Sequence, residues 1–175
     1  MAYSSPATVV TATTITSAWG NSVKSATDFL ANPPACKAYK STGHSVPTAT
    51  DTALTWDTEA FDTDNMHSLV TNTDRLTMNT AGLYVVTLQI QFPFDAGGGE
   101  RMGSLYLNNT TLIARDRRLS HSVGVGTTNM TLTTLYKFAA GDWVQPTAYQ
   151  ASGTTMTVTQ GIGSTSISAV WVGLG

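Results

Sequence analysis

Four carboxylates fall within eight residues, Asp57, Glu59, Asp62 and Asp64, in the run Trp56-Asp57-Thr58-Glu59-Ala60-Phe61-Asp62-Thr63-Asp64-Asn65-Met66-His67. Hard oxygen ligands at that density suit Ca²⁺, although the glycine and closing glutamate of an EF-hand loop are missing. Two of them could also form the carboxylate couple of a glycosidase. The plainer reading is a polar loop whose aspartates accept from backbone amides in turns. Asp57, Glu59, Asp62 and Asp64 are therefore carried as calcium candidates, with no metal or cofactor assigned.

Arg115, Arg117 and Arg118, around Asp116, form the one basic cluster. On a strand, 115 and 117 share one face while 116 and 118 share the other. Ion pairs at a subunit contact or an exposed rim would explain them, and binding of an acidic glycan is the sharper alternative. Trp56, Trp143, Trp171, Tyr106 and Tyr149 could stack on sugar rings, but aromatics on alternating strands usually belong to a core or an interface. No Gly-x-Ser-x-Gly elbow, phosphate-binding loop, His-Glu-x-x-His pair or dinucleotide glycine pattern occurs, and His44, His67 and His121 are scattered. No catalytic residue is assigned, and we expect no enzyme.

Two elements of different grammar must position these residues. Ile15, Trp19, Val23, Ala26 and Leu30 recur at steps of three or four, which predicts a helix over about 15 to 31. Thr14 or Thr16 would cap its start, and Asn32-Pro33-Pro34 would stop it. From Cys36 onward the period is two. Tyr84, Val86, Leu88, Ile90 and Phe92 alternate with more polar residues, as do Met130, Leu132, Tyr136 and Phe138, and then Ile167, Ala169 and Trp171. Asn108-Asn109 suits a tight hairpin, and Pro146 places its strand at an edge or a bulge. Glycine loops at Gly97-Gly98-Gly99 and Gly124-Val125-Gly126 separate further runs.

The chain has 175 residues, enough for one core. Only 11% of residues are charged, threonine occurs 31 times, and the net charge is -2. The bias favours strands and argues against nucleic-acid binding. The single cysteine, Cys36, excludes an intrachain disulfide framework and a thiolate-rich zinc site. No signal-like segment follows Met1 and the apolar runs are too short to span a bilayer, so we expect a chain that is soluble from residue 1, without membrane insertion.

The segment Arg75-Leu76-Thr77-Met78-Asn79-Thr80-Ala81-Gly82-Leu83-Tyr84-Val85-Val86 resembles the signature hairpin of the tumour necrosis factor and complement globular-head superfamily, in which Gly-x-Tyr opens an alternating strand. The Leu105 to Ala114 hairpin, Ala139 to Val144 and Ser166 to Gly173 resemble further parts of that pattern in the same order. The resemblance implies an all-β, ten-strand jelly roll over 35–175, assembling as a homotrimer, with 1–34 as a separate N-terminal arm and amphipathic helix. Trp56 to His67, and Val9-Val10-Thr11-Ala12 leading through a helix to Leu30-Ala31-Asn32-Pro33-Pro34, are similar to modules of small bacteriophage virion proteins.

On this reading the chain is a non-enzymatic knob on the virion surface, a capsid decoration or minor tail protein. Its partners are its own copies, other virion proteins and a host-surface glycan. Ile15, Trp19, Val23, Phe29 and Leu30 are nominated as the particle anchor. Val85, Tyr106, Val170, Trp171 and Val172 are nominated for the trimer contact, because a low-charge strand face needs cover. The alternative is a carbohydrate-binding module assisted by calcium. We further expect 35–175 to fold and trimerise without the first 34 residues.

Overall fold

A computed structural model describes residues 3–11, 14–120 and 126–175. Ala12, His121 and the Gly124-Val125 part of the second glycine loop lie outside them. The chain runs α1 (Ser17–Ala31), β1 (Ala35–Tyr39), β2 (His44–Val46), β3 (Thr52–Ala53), β4 (Thr58–Asp62), β5 (Leu76–Thr77), β6 (Gly82–Phe92), β7 (Glu100–Leu107), β8 (Thr111–Leu119), β9 (Thr128–Phe138), β10 (Trp143–Gln150), β11 (Met156–Val158) and β12 (Ser166–Gly173). Two antiparallel five-stranded sheets supply the ten expected strands: β4-β1-β12-β6-β9, and β3-β10-β7-β8 with β5 also on β10. A β2–β11 ribbon is added to them.

Period two decides what each strand buries. Tyr84, Val86, Leu88, Ile90 and Phe92 face inward from β6 and are buried, while Leu83, Val85, Thr87, Gln89 and Gln91 face out. Ile167, Ala169 and Trp171 are likewise buried on β12. Trp171, nominated for the trimer contact, is thereby corrected. It stands opposite Tyr84 on the inner face, and its indole N–H donates to the Ala81 carbonyl at 3.1 Å.

The Gly-x-Tyr signature has a physical cause here. Gly82 has φ 149°, and a Cβ on it would fall on the Trp171 indole nitrogen and the Gly173 carbonyl oxygen. Two residues on, the buried Tyr84 hydroxyl donates to the Thr80 carbonyl at 2.7 Å, tying the strand to the turn before it. Asn108 and Asn109 both take positive φ, 49° and 57°, as a tight hairpin turn requires. The Asn108 amide then donates to Asp142 Oδ1 at 2.9 Å and joins that turn to the β9–β10 turn. Pro146 sits within β10 where its other flank is covered only by the two-residue strands β3 and β5. The Pro146 carbonyl accepts from Leu54 on that flank, so its missing N–H faces the same weakly paired side.

Helix α1 starts directly after a Thr16 cap, whose side chain accepts from Trp19 N at 3.2 Å, and stops at Asn32. Its packed face centres on Ala26 and Phe29. Phe29 meets Trp171 edge-on, with ring centroids 4.9 Å apart, and Tyr3 closes over both. One step along a helix rotates about 100°. With Phe29 turned inward, Leu30 is left outside at 56% exposure, and Ile15 stays outside at 63%.

Candidate functional site

The acidic run forms β4 and the turn after it, and its carboxylates are spent on separate donors. Asp62 accepts from the backbone N–H groups of Asp64, Met66 and His67 at 3.1, 3.0 and 2.8 Å. Asp57 accepts from Ser41 N at 2.7 Å and pairs with Lys40 at 3.5 Å. Glu59 meets Nδ1 of the buried His67 at 2.8 Å, and Asp64 accepts from the Thr80 hydroxyl at 3.0 Å. Among the described residues no three His, Cys, Asp or Glu side chains group as metal ligands. The calcium candidates Asp57, Glu59, Asp62 and Asp64 are therefore better described as turn-binding groups, since each carboxylate is already directed at its own amide, hydroxyl or basic partner.

The protonation states fit a structural role. Burial pushes the Asp57 carboxyl up, but the Ser41 and Thr58 donors and Lys40 outweigh it and hold it below its ordinary value. Burial and Lys40 lower His44. Burial, with Asp62 and Glu59 nearby, raises the Cys36 thiol well above its usual range, so it is no nucleophile at neutral pH. A cleft of about 360 Å³ lies between the end of α1 and the Thr63-Asp64 turn. Of its two carboxylates, Asp28 pairs with Lys24 at 2.5 Å and Asp64 holds Thr80.

What the sandwich offers instead is two outer faces of different character. On the β4-β1-β12-β6-β9 sheet, Ala35, Val170, Val85 and Leu135 stand in register across four strands. Leu135 is 59% and the neighbouring Val172 52% exposed. Farther along, Thr87 bonds Thr133 at 3.0 Å and Gln91 bonds Asn129 at 2.9 Å, a polar but uncharged ladder. Val85, Val170 and Val172 thus share one face. Tyr106 does not belong with them: it lies on β7, on the outer side of the opposite sheet. Leu135 was overlooked in the sequence although it occupies the position between Thr134 and Tyr136 that alternation sends outward.

On that opposite sheet, Trp143, Gln145, Thr147 and Tyr149 alternate outward on β10, across the register from Tyr106, Ser104 and Met102 of β7. Arg115 and Arg117 extend the face on β8, opposite Ser104 and Met102. Arg118 lies on the other side of β8, pairs with Asp116 at 2.8 Å and donates to the Asn129 carbonyl at 3.1 Å. Arg117 pairs with Glu100, and Arg75 lies 3.9 Å over the Trp143 ring while facing Asp74. Of the five aromatics considered as sugar platforms, Trp56 and Trp171 are buried in the core, whereas Trp143, Tyr106 and Tyr149 are half-buried on this face.

Sequence reasoning also passed over Arg101, which is wholly buried on the inner side of β7. Its Nη1 donates to the Gly98 and Glu100 carbonyls at 2.8 and 3.0 Å, while Nε and Nη2 have no partner among the described residues. Burial lowers its pKa, with Asp95 opposing. Its inward place in the Arg101, Gly103, Leu105 alternation was the available signal.

No family model matches the sequence, and no curated protein matches it. Solved structures do. The globular domain of zebrafish complement 1qA is 10% identical, with a TM-score of 0.56 over 81% of this chain and 99% of that one. Murine APRIL at pH 5.0 is 11% identical, with a TM-score of 0.60 over 79% of this chain and 98% of that one. The fold is theirs. The protein is an all-β jelly roll of the tumour necrosis factor and complement globular-head type, preceded by a helix, as its Gly82-Leu83-Tyr84 hairpin led us to expect.

Proposed function

We propose that this chain is a non-enzymatic structural protein of a bacteriophage particle, a homotrimeric jelly-roll knob displayed as a capsid decoration or minor tail protein. The carrying observation is the outer face of the β4-β1-β12-β6-β9 sheet, where the Val170, Val85 and Leu135 row and the threonine–glutamine ladder stand uncovered in the single chain, with Lys37 on β1 and Lys137 on β9 as the charges beside them. Burying the Val170, Val85 and Leu135 row against sister copies removes apolar surface from water. The resemblance to trimeric globular heads supports the threefold arrangement. The similarity of residues 9–34 and 56–67 to phage virion modules supports the location.

Attachment to the particle falls to the N-terminal region, with its roles divided. Phe29 is committed to the chain's own core, and Trp19 holds the arm by donating to the Ala7 carbonyl at 2.8 Å. The exposed Ile15 and Leu30, with Val10 on the arm, remain to meet another virion protein. Mass spectrometry and labelled electron microscopy of gradient-purified particles should find the protein on their surface. Its absence from particles, with abundant free protein in the same lysate, would reject the virion reading. In particles that do carry it, the double variant Ile15→Asp, Leu30→Asp should fold and trimerise yet fail to be incorporated.

A further inference from the structure

The assembly proposed above uses one outer face of the sandwich and leaves the other facing solvent. On that second face Arg115 is set apart from its neighbours. Arg75, Arg117 and Arg118 each stand against a carboxylate. Arg115 is held by neutral groups: its Nε donates to Ser104 Oγ at 2.9 Å and its Nη2 to the Tyr106 hydroxyl at 2.8 Å. Two hydroxyls fix the plane of the guanidinium without cancelling its charge, which leaves a pre-oriented fork for a planar anion.

The surroundings narrow the class of anion. Tyr149 stands opposite Met102, four residues along β7 from Tyr106, so the two tyrosines lie about 13 Å apart with Arg115 and Ser104 between them. Across from Ser104, the Thr147 hydroxyl is buried with no hydrogen-bond partner among the described residues. The outer side of this sheet carries half-buried aromatic rings beside the exposed Arg115, over the buried Ser104 and Thr147. A peptide would need pockets for its side chains, whereas a sugar presents flat C–H faces to rings and hydroxyls to polar side chains. We propose that this face binds an acidic saccharide, with Arg115 taking the carboxylate of a uronic-type sugar and Tyr106 and Tyr149 packing against flanking rings.

The test titrates the full chain by calorimetry with tetragalacturonate, using maltotetraose as the neutral control and tetraglutamate as the peptide control. Tetragalacturonate should bind, more weakly at high salt, and maltotetraose should bind at least tenfold more weakly. Arg115→Gln and Tyr149→Ala should each weaken binding about tenfold, while Arg118→Gln, on the other side of the same strand, should not. Equal binding of tetraglutamate would replace the saccharide with an acidic peptide. No binding, or equal effects of the 115 and 118 variants, would overturn the proposal. Light scattering on the same samples reports the oligomeric state, so a failure of glycan binding is separable from a failure of the trimer.

Discussion

Gly82 shows how a short signature is enforced. The backbone there passes so close to Trp171 that no side chain fits, and its φ of 149° is one that other residues rarely adopt. Gly82→Ala should cost about 3 kcal/mol, combining overpacking with backbone strain, read as a lower midpoint in denaturant. A wild-type midpoint would mean that the strand passes elsewhere. His44 makes a second prediction. Burial and Lys40 hold its pKa below the ordinary 6.5, so between the two values the unfolded chain binds a proton that the folded chain does not. Stability is therefore fully present above about 6.5 and falls as pH drops through the folded value. Asp57, held below its ordinary 3.8, adds a loss of the same sign at still lower pH. Thermal melts from pH 7.5 downward should show the decline, and His44→Gln should flatten its upper part.

Helix α1 marks the limit of what the pattern could say. Its span was legible because the Thr16 cap and the Asn32-Pro33 stop are local chemistry, and the β6 face was legible because period two leaves no choice of phase, whereas on β12 the same period excludes Trp171 from the contact that Val170 and Val172 share. The rotation of the helix was not. Leu30 and Phe29 are both apolar and adjacent, and only the position of Trp171, far along the chain, decides that Phe29 turns inward. The plainer reading of the acidic run was legible where it is local, since Asp62 serves the amides of Asp64, Met66 and His67 in its own turn, whereas the Ser41 and Thr80 partners of Asp57 and Asp64 are brought there only by the fold. With Phe29 packed in the core, we expect the first 34 residues to contribute to the stability of the jelly roll. Phe29→Ala should destabilise the protein by about 3 kcal/mol, and removing residues 1–31 should lower the thermal midpoint markedly by uncovering Trp171. An unchanged midpoint in the truncated chain would restore the independence that the sequence suggested.

At the scale of the molecule, the sandwich separates two surfaces that the sequence interleaves residue by residue. Alternation sends Val85 and Leu135 to one side and Tyr106 and Arg115 to the other, because they belong to different sheets. The first face is suited to copies of itself and the second to a charged, hydroxyl-rich ligand. Self-association through the first face is the central claim, and light scattering on purified full-length protein at micromolar concentration tests it most directly. The wild type should give about three times the 18.5 kDa chain mass, and Val85→Lys, which sets like charges together in the contact, should give a folded single chain. A wild-type protein that stays at one chain mass, or a Val85→Lys variant that assembles as the wild type does, would contradict it.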